Sequence, residues 1–108
     1  MKFKCRAWSI SGKKMLPWDV IKDWGIRLFY DPNYIVMLWT GLKDEEDTEI
    51  YRDDIMSPKA HLVLGFSNQV VIWDDDAAGF SPGTELQWSE CVKVVGNIHE
   101  NPELVGTI

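Results

Sequence analysis

Residues 34–41 read YIVMLWTG, and this stretch gives the strongest indication of the fold. It is apolar from Tyr34 to Trp39, follows the turn signal Asp31-Pro32-Asn33, and is closed by Thr40-Gly41. A short apolar run bounded by turn residues is typical of a strand that is covered on both faces. We therefore predict a central strand over residues 34–39, buried on both sides and ending at Thr40-Gly41.

The neighbouring segments also favour strands. In residues 2–7 basic side chains alternate with apolar ones, which is the period of a half-buried strand, and residues 9–14 follow as a tight turn with Gly12. Further along, residues 61–66 and 70–73 are predicted to pair as a hairpin around the loop 67–69. A last strand is expected at residues 91–95.

One or two short helical turns complete the prediction. Pro17 suits the first position of a helix, apolar residues follow at helical spacing (Val20, Ile21 and Trp24), and Gly25 can end it. Near the C-terminus, Asn101-Pro102-Glu103 places a capping side chain, a proline and an acid in the order that starts a helical turn. Several short strands with so little helix indicate a mainly β protein, a small barrel or a sandwich.

The net charge of −6 is unevenly distributed along the chain. Residues 1–43 contain eight Lys and Arg and three Asp, whereas residues 44–108 contain three Lys and Arg and fourteen Asp and Glu. This polarity favours head-to-tail or self-complementary association and weakens the case for broad binding to a phosphate backbone. The acidic run at residues 44–49 is interpreted as a solvated turn, although together with Asp53 and Asp54 it could imitate a nucleic-acid backbone.

Length and cysteine content indicate one domain, residues 1–108, in a reducing compartment. The chain has no apolar run of the ~20 residues that span a bilayer, and its first residues do not resemble a signal peptide. We therefore expect a cytoplasmic protein with no membrane partner. In a reducing compartment a disulfide is not expected, so Cys5 and Cys91 are predicted to be free thiols in the core. A catalytic cysteine would need a nearby base, and neither His61 nor His99 lies in a local catalytic motif.

A serine-hydrolase motif can be set aside on chemical grounds. Residues 79–83 fit the pattern G-x-S-x-G of a nucleophile elbow, with Ser81 as the nucleophile. In that elbow the residue after the serine donates its backbone N–H to the oxyanion, but here that residue is Pro82, which has no N–H. A Gly/Pro/Ser turn explains the segment.

A calcium-loop motif is also incomplete. Asp74, Asp76, Gly79 and Glu85 match four positions of the pattern, but Ala78 stands where a fifth position needs an oxygen ligand. The residues that enter the loop, 70–73, favour a strand, whereas the motif requires a helix. No phosphate loop, dinucleotide motif or Cys/His metal spacing is present, so we predict no catalytic residue, no metal ligand and no cofactor.

Three stretches resemble the YopX family of small bacteriophage and prophage proteins. They are KFKCRAW at residues 2–8 with KKM at 13–15, the block at residues 39–55, and the tail VGNIHENPEL at residues 95–104. Two turn positions depart from the family pattern: Glu46-Asp47 replaces an Asn-Gly pair, and Asp53 replaces a glycine. Asp tolerates positive φ better than most residues, so a left-handed conformation is expected at Asp53. The insertion of Cys5 indicates either a bulge or an imperfect alignment.

The resemblance implies an SH3-like small barrel with added short strands, an origin in a phage or prophage, and self-association. It implies no activity. The residues that match the family pattern are interpreted as mostly structural: Arg6, Trp8, Thr40, Gly41, Leu42, Ile50, Tyr51, Asp54, Ile55, Gly96, Asn97, Glu100, Asn101 and Pro102. Of these, Ile50 and Ile55 are expected in the core.

The function expected from these observations is that of a non-enzymatic accessory protein that binds a phage or host protein, or a second copy of itself, as a homo-oligomer. The alternatives are an acidic decoy of a DNA-binding host enzyme, a weak nucleic-acid-binding barrel, and an enzyme with a pocket that holds a histidine beside a carboxylate. Six tryptophans are many for this length. Most are expected in the core, and one or two on a partner-facing surface, where Trp is enriched among binding anchors.

Overall fold

The computed structural model describes residues 3–58, 68–76, 78–81 and 92–104. Its first half is an antiparallel sheet of β1 (Cys5–Ser9), β2 (Lys14–Leu16), β3 (Tyr34–Lys43) and β4 (Glu49–Tyr51), in the order β2-β1-β3-β4. The alternation predicted for the first strand is confirmed, because Cys5, Ala7 and Ser9 are buried and Arg6 and Trp8 face the other way. The turn expected at residues 9–14 joins β1 to β2.

The central strand β3 differs from its prediction in two ways. It continues through Thr40-Gly41 to Lys43, because Gly41 takes a positive φ of 88° within an irregularity between the pairs Trp39↔Tyr51 and Lys43↔Glu49. It is also not buried on both faces. Met37 and Thr40 are buried, but Leu38 is 39% exposed, since the two short helices beside the sheet do not cover its whole length.

Two four-residue helices, α1 (Trp18–Ile21) and α2 (Arg27–Tyr30), cover part of one face of this sheet. The first begins after Pro17, as predicted, but it ends at Ile21 with Lys22 as its C-cap. Gly25, predicted to end this helix, lies in the turn that follows and has a positive φ of 72°. The second helix was not predicted. Their buried residues, Ile21 and Leu28, form the first hydrophobic cluster with Cys5 and Ala7 of β1.

The second half contains a three-stranded sheet and a hairpin. β5 (Asp54–Pro58) lies between β6 (Gln69–Val70) and β9 (Val92–Asn97), while β7 (Ile72–Asp74) pairs with β8 (Gly79–Ser81). Gln69, predicted in a loop, belongs to β6 and pairs with β5; the strand predicted at 61–66 lies outside the described residues. The second hydrophobic cluster consists of Ile50, Met56, Val71 and Val92.

Two aspartates in turns have a left-handed backbone conformation. Asp53 has a φ of 72°, the left-handed conformation expected there, and Asp47 has a φ of 67°, so the turn closes without the Asn-Gly pair. The register of β1 on β3 is unbroken from Cys5↔Leu38 to Ser9↔Tyr34, so Cys5 introduces no bulge there.

The chain is therefore a mainly β protein with a curled half-barrel sheet, as expected for a small β barrel with short helical turns. A 3₁₀ turn at Pro102–Leu104 confirms the helical turn predicted near the C-terminus. Among the described residues, none of the helices has the length and apolar character that a membrane-spanning helix needs.

Candidate functional site

A buried ion pair joins the two halves of the molecule. Arg6 projects from β1 on the face opposite Cys5 and Ala7, and its Nη2 lies 2.7 Å from Oδ1 of Asp54, the first residue of β5. The two side chains are only 13% and 2% exposed. Burial raises the pKa of Asp54, and the Arg6 guanidinium opposes that shift.

The same carboxylate also holds Tyr51 in place. Asp54 Oδ2 accepts the backbone N–H of Tyr51 at 2.7 Å, and the Arg6 guanidinium lies 4.8 Å from the centre of the Tyr51 ring. Burial, with a smaller contribution from Glu49, raises the pKa of Tyr51 to about 12. The phenol is therefore neutral at physiological pH and is a poor candidate for a general base.

A second polar contact joins the turn after β9 to Asp53, and a ring contact joins the same turn to β1. Nε2 of His99 lies 3.0 Å from Oδ2 of Asp53, and the imidazole stacks on Trp8 with 5.6 Å between ring centres. Arg52 lies on the other side of Asp53, with 3.7 Å between its Nε and Oδ1. His99, one of the two histidines considered as catalytic bases, is thus half-buried in a structural contact; His61 lies outside the described residues.

Further family-pattern residues make contacts within the fold. Asn97 Oδ1 accepts the backbone N–H groups of His99 and Glu100, and Gly96 has no room for a β-carbon because the Asn101 side chain lies against it. The Thr40 hydroxyl donates to the Ile50 carbonyl at 2.8 Å. These contacts explain why such residues are needed without assigning them a ligand.

A groove opens at the protein surface beside Arg6 and Tyr51, two residues that contact the Asp54 carboxylate. Its volume is about 510 Å³, and it lies between the two outer strands β2 and β4 of the first sheet, over Arg6. Its walls are Met15, Pro17, Thr48, Glu49 and Tyr51. Lys4 forms an ion pair with Glu49 at its rim, and its ammonium group also lies over the Trp39 ring.

A second surface lies on residues 18–30, which we call the helical segment. Its outward side chains are large and apolar, and we call them the helical surface; the exposed fractions are 48% for Val20, 41% for Trp24, 66% for Ile26, 53% for Phe29 and 77% for Tyr30. The inward side chains Ile21 and Leu28 are buried in the first cluster. The segment therefore exposes large apolar side chains as well as the charged side chains of Asp19, Lys22, Asp23 and Arg27, whereas the exposed side of a helical segment is usually polar.

The helical surface was not predicted, because the spacing of Val20, Ile21 and Trp24 was used to predict a helix and not to assign the side that each residue faces. The available signal was the large number of apolar residues within 18–30. The prediction that most tryptophans lie in the core is also wrong for the described ones. Trp24 is 41% and Trp73 is 46% exposed, and Trp8, Trp18 and Trp39 are only partly buried.

Residues 45–48 of the acidic run are exposed at a turn, as predicted, but the aspartates before and after them are buried. Asp44 is only 7% exposed, and its carboxylate accepts backbone N–H groups from Glu46, Thr48 and Val94. Asp53 and Asp54 are 6% and 1% exposed. Three of the carboxylates that a nucleic-acid mimic would display thus lie inside the protein.

The motifs set aside from the sequence occupy a β-hairpin. Ile72–Asp74 is a strand, as predicted against a calcium loop, and Gly79–Ser81 is its partner strand; Pro82 and Glu85 lie outside the described residues. The part of the chain that the structure describes contains no group of three His, Cys, Asp or Glu arranged to hold a metal. Burial raises the pKa of the Cys5 thiol, which is free; Cys91 is not among the described residues.

Comparison with known proteins gives a family and a fold. The family model described as YopX protein matches residues 16–106. The crystal structure of protein EF1440 from Enterococcus faecalis is similar, with a TM-score of 0.66 and 23% sequence identity over 97% of this chain and 99% of that chain. At this identity the likeness concerns the fold. No curated protein matches the chain.

Proposed function

Since this chain belongs to the YopX family, we propose that it is a phage or prophage accessory protein that acts as a non-enzymatic binding module. It works in the cytoplasm of the bacterial host, through a protein partner or a second copy of itself. Binding rather than catalysis is its activity.

The helical surface carries this proposal. Five large apolar side chains are exposed within one short segment, and exposed apolar surface of this kind marks interaction sites. Aromatic residues among them, Trp24, Phe29 and Tyr30, are the types enriched in the cores of protein interfaces. Leaving them in water costs about 25 cal/mol for each Å² of apolar area, and a partner that covers them removes that cost.

The charge of the protein favours a protein partner over a polyanion. The net charge of −6 opposes binding to nucleic acid or to an anionic membrane. Around the helical surface both signs occur, with Asp19, Lys22, Asp23 and Arg27 in the same segment. A protein surface, which carries charges of both signs, matches that pattern better than a phosphate backbone does.

The experiment is affinity capture from lysate of a prophage-carrying host, with a variant that removes the outermost part of the helical surface. Phe29→Ser/Tyr30→Ser is expected to lose the captured proteins. Ile10→Ser, which removes a 48% exposed apolar side chain in the β1–β2 turn, is the matched control and is expected to retain them.

Light scattering on the same variants separates the two kinds of partner. A concentration-dependent increase in mass that the double variant abolishes identifies the partner as a second copy. If capture and mass are both unchanged in Phe29→Ser/Tyr30→Ser, the helical surface is not the binding surface and the proposal fails.

A further inference from the structure

A cavity of about 370 Å³ lies beside the helical surface, lined by Trp24, Arg27, Leu28, Asp31 and Tyr34. This volume lies within the range of about 300–1,000 Å³ in which ligand pockets fall. Leu28, only 4% exposed, contributes apolar surface to a lining that also contains the polar groups of Arg27 and Asp31. The rings of Trp24 and Tyr34 meet edge to face with 5.5 Å between their centres and form an aromatic wall.

Two opposite charges border this cavity without pairing with each other. Arg27 and Asp31 are four residues apart, a spacing at which opposite charges on a helix can pair. Among the described residues no ion pair joins them, and Arg27 has no other ion-pair partner. Asp31 uses Oδ1 to accept the backbone N–H of Asn33 at 2.9 Å. The guanidinium of Arg27 is therefore exposed at this cavity, beside its aromatic wall, and has no acceptor in the described part of the chain.

We propose that this cavity receives one apolar side chain of a protein partner, next to a carboxylate of that partner which pairs with Arg27. An apolar anchor in a lined cavity, with charged pairs at the rim, is the usual arrangement of an energetic centre in a protein interface. A carboxylate is the group that the planar guanidinium binds with two parallel hydrogen bonds. The partner is thus a different protein with an acidic residue close to an aromatic or leucine anchor.

This inference rests on the proposed function and specifies the partner at the same face. It requires more than exposed apolar area, because it assigns the specificity to the sign of one charge. Reversing that charge should therefore reverse the preference and leave the helical surface intact. Arg27 is exposed, so Arg27→Glu and Arg27→Gln should both fold, which circular dichroism melting checks.

The test is selection of a random library of yeast-displayed twelve-residue peptides on the full chain, in parallel on Arg27→Glu. We expect the wild type to enrich peptides with Asp or Glu near an aromatic or Leu residue, and Arg27→Glu to enrich Lys or Arg at that place. Peptides selected on the wild type should bind Arg27→Glu about tenfold or more weakly, with Arg27→Gln in between. On binding, the Trp24 indole N–H resonance should shift.

Several results would overturn the inference. They are the same enriched charges on both forms, no enrichment on the wild type, equal affinity for Arg27→Glu, or a Trp24 resonance that does not move. If binding depends on Phe29→Ser/Tyr30→Ser but not on Arg27→Glu, the proposed function stands and this inference fails. Self-association that Arg27→Glu abolishes would make the occupant a second copy, which also overturns it.

Discussion

In the helical segment, five large apolar side chains lie exposed, whereas in the region from residue 44 onward three carboxylates are buried. Apolar side chains exposed to water and carboxylates buried in the protein are both energetically unfavourable unless other contacts compensate. The buried carboxylates have local reasons, since Asp44 accepts three backbone N–H groups and Asp54 is paired with Arg6. Among the exposed apolar side chains, Trp24 contacts the Tyr34 ring but is still 41% exposed, and Ile26, Phe29 and Tyr30 are more than half exposed. The comparison teaches that the second region is stabilised by its own hydrogen bonds and ion pair, whereas the exposed side chains of the first region are the ones that we propose a partner covers.

The largest effect should come from removing the carboxylate that joins the two halves. Asp54→Ala leaves Arg6 as a buried, unpaired cation, and we expect the free energy of unfolding to fall by about 3–5 kcal/mol. Urea unfolding measures it. The control is Asp19→Ala, where the side chain is 92% exposed and the change should stay within about 0.5 kcal/mol. Equal costs for the two variants would mean that the ion pair does not support the fold.

A slightly smaller effect should follow from Asp44→Ala. Three backbone N–H groups lose their acceptor, one of them in β9, fifty residues away. Hydrogen bonds to charged groups are worth about 1.5–3 kcal/mol each, but exposed loop amides regain water, so we expect a net loss of about 2–4 kcal/mol. Asp47→Asn, in the same turn with an 83% exposed side chain, is the control for charge, since Asn tolerates the positive φ at this position. Amide exchange should speed up at Val94 in the first variant only; unchanged protection there would contradict the assigned role.

The burial of Tyr51 predicts a loss of stability at high pH. Its pKa is raised from 10.0 to about 12 in the folded protein, so the neutral phenol contributes stability that is fully present below pH 10. That contribution is lost as the pH rises through 12, and two pKa units correspond to roughly 2–3 kcal/mol. Between pH 9 and pH 12.5 the wild type should therefore lose this amount relative to Tyr51→Phe. Parallel pH curves for the two proteins would show that the phenol ionises as readily in the fold as in the unfolded chain.

The smallest effect on stability is expected on the helical surface. Tyr30→Ser removes a side chain that is 77% exposed, and the free energy of unfolding should change by no more than about 0.5 kcal/mol. Leu28→Ala, on the buried side of the same helix, should cost about 2–5 kcal/mol because it empties part of the first cluster. A large cost for Tyr30→Ser would place this side chain in the fold rather than at an interface.

Local patterns predicted the elements whose causes are local. The alternation in residues 2–7, the helix start at Pro17 and the left-handed Asp53 each depend on a few neighbouring residues. Thr40-Gly41 failed as a strand end because a glycine with positive φ can also allow a strand to continue through an irregularity.

The site could not be predicted because its contacts join distant parts of the chain. Arg6 and Asp54 are 48 residues apart, and the acceptor role of Asp44 depends on the position of β9. Residues 44–49 were predicted to be solvated, and the burial of Asp44 was missed because a sequence pattern does not show which backbone N–H groups lie near a carboxylate. The helical surface was missed for a related reason: apolar spacing predicts that side chains will be covered, but not by which molecule.

The ten-residue strand β3 has a consequence for how the molecule unfolds. Val36 packs on the first cluster and Leu42 on the second, so one continuous strand belongs to both cores. Complete opening of either core therefore disrupts β3, whose pairing with β1 and β4 supports both cores. The amides of Val36 and Leu42 should therefore exchange with solvent through the same global event, and two small cores should melt in one cooperative transition.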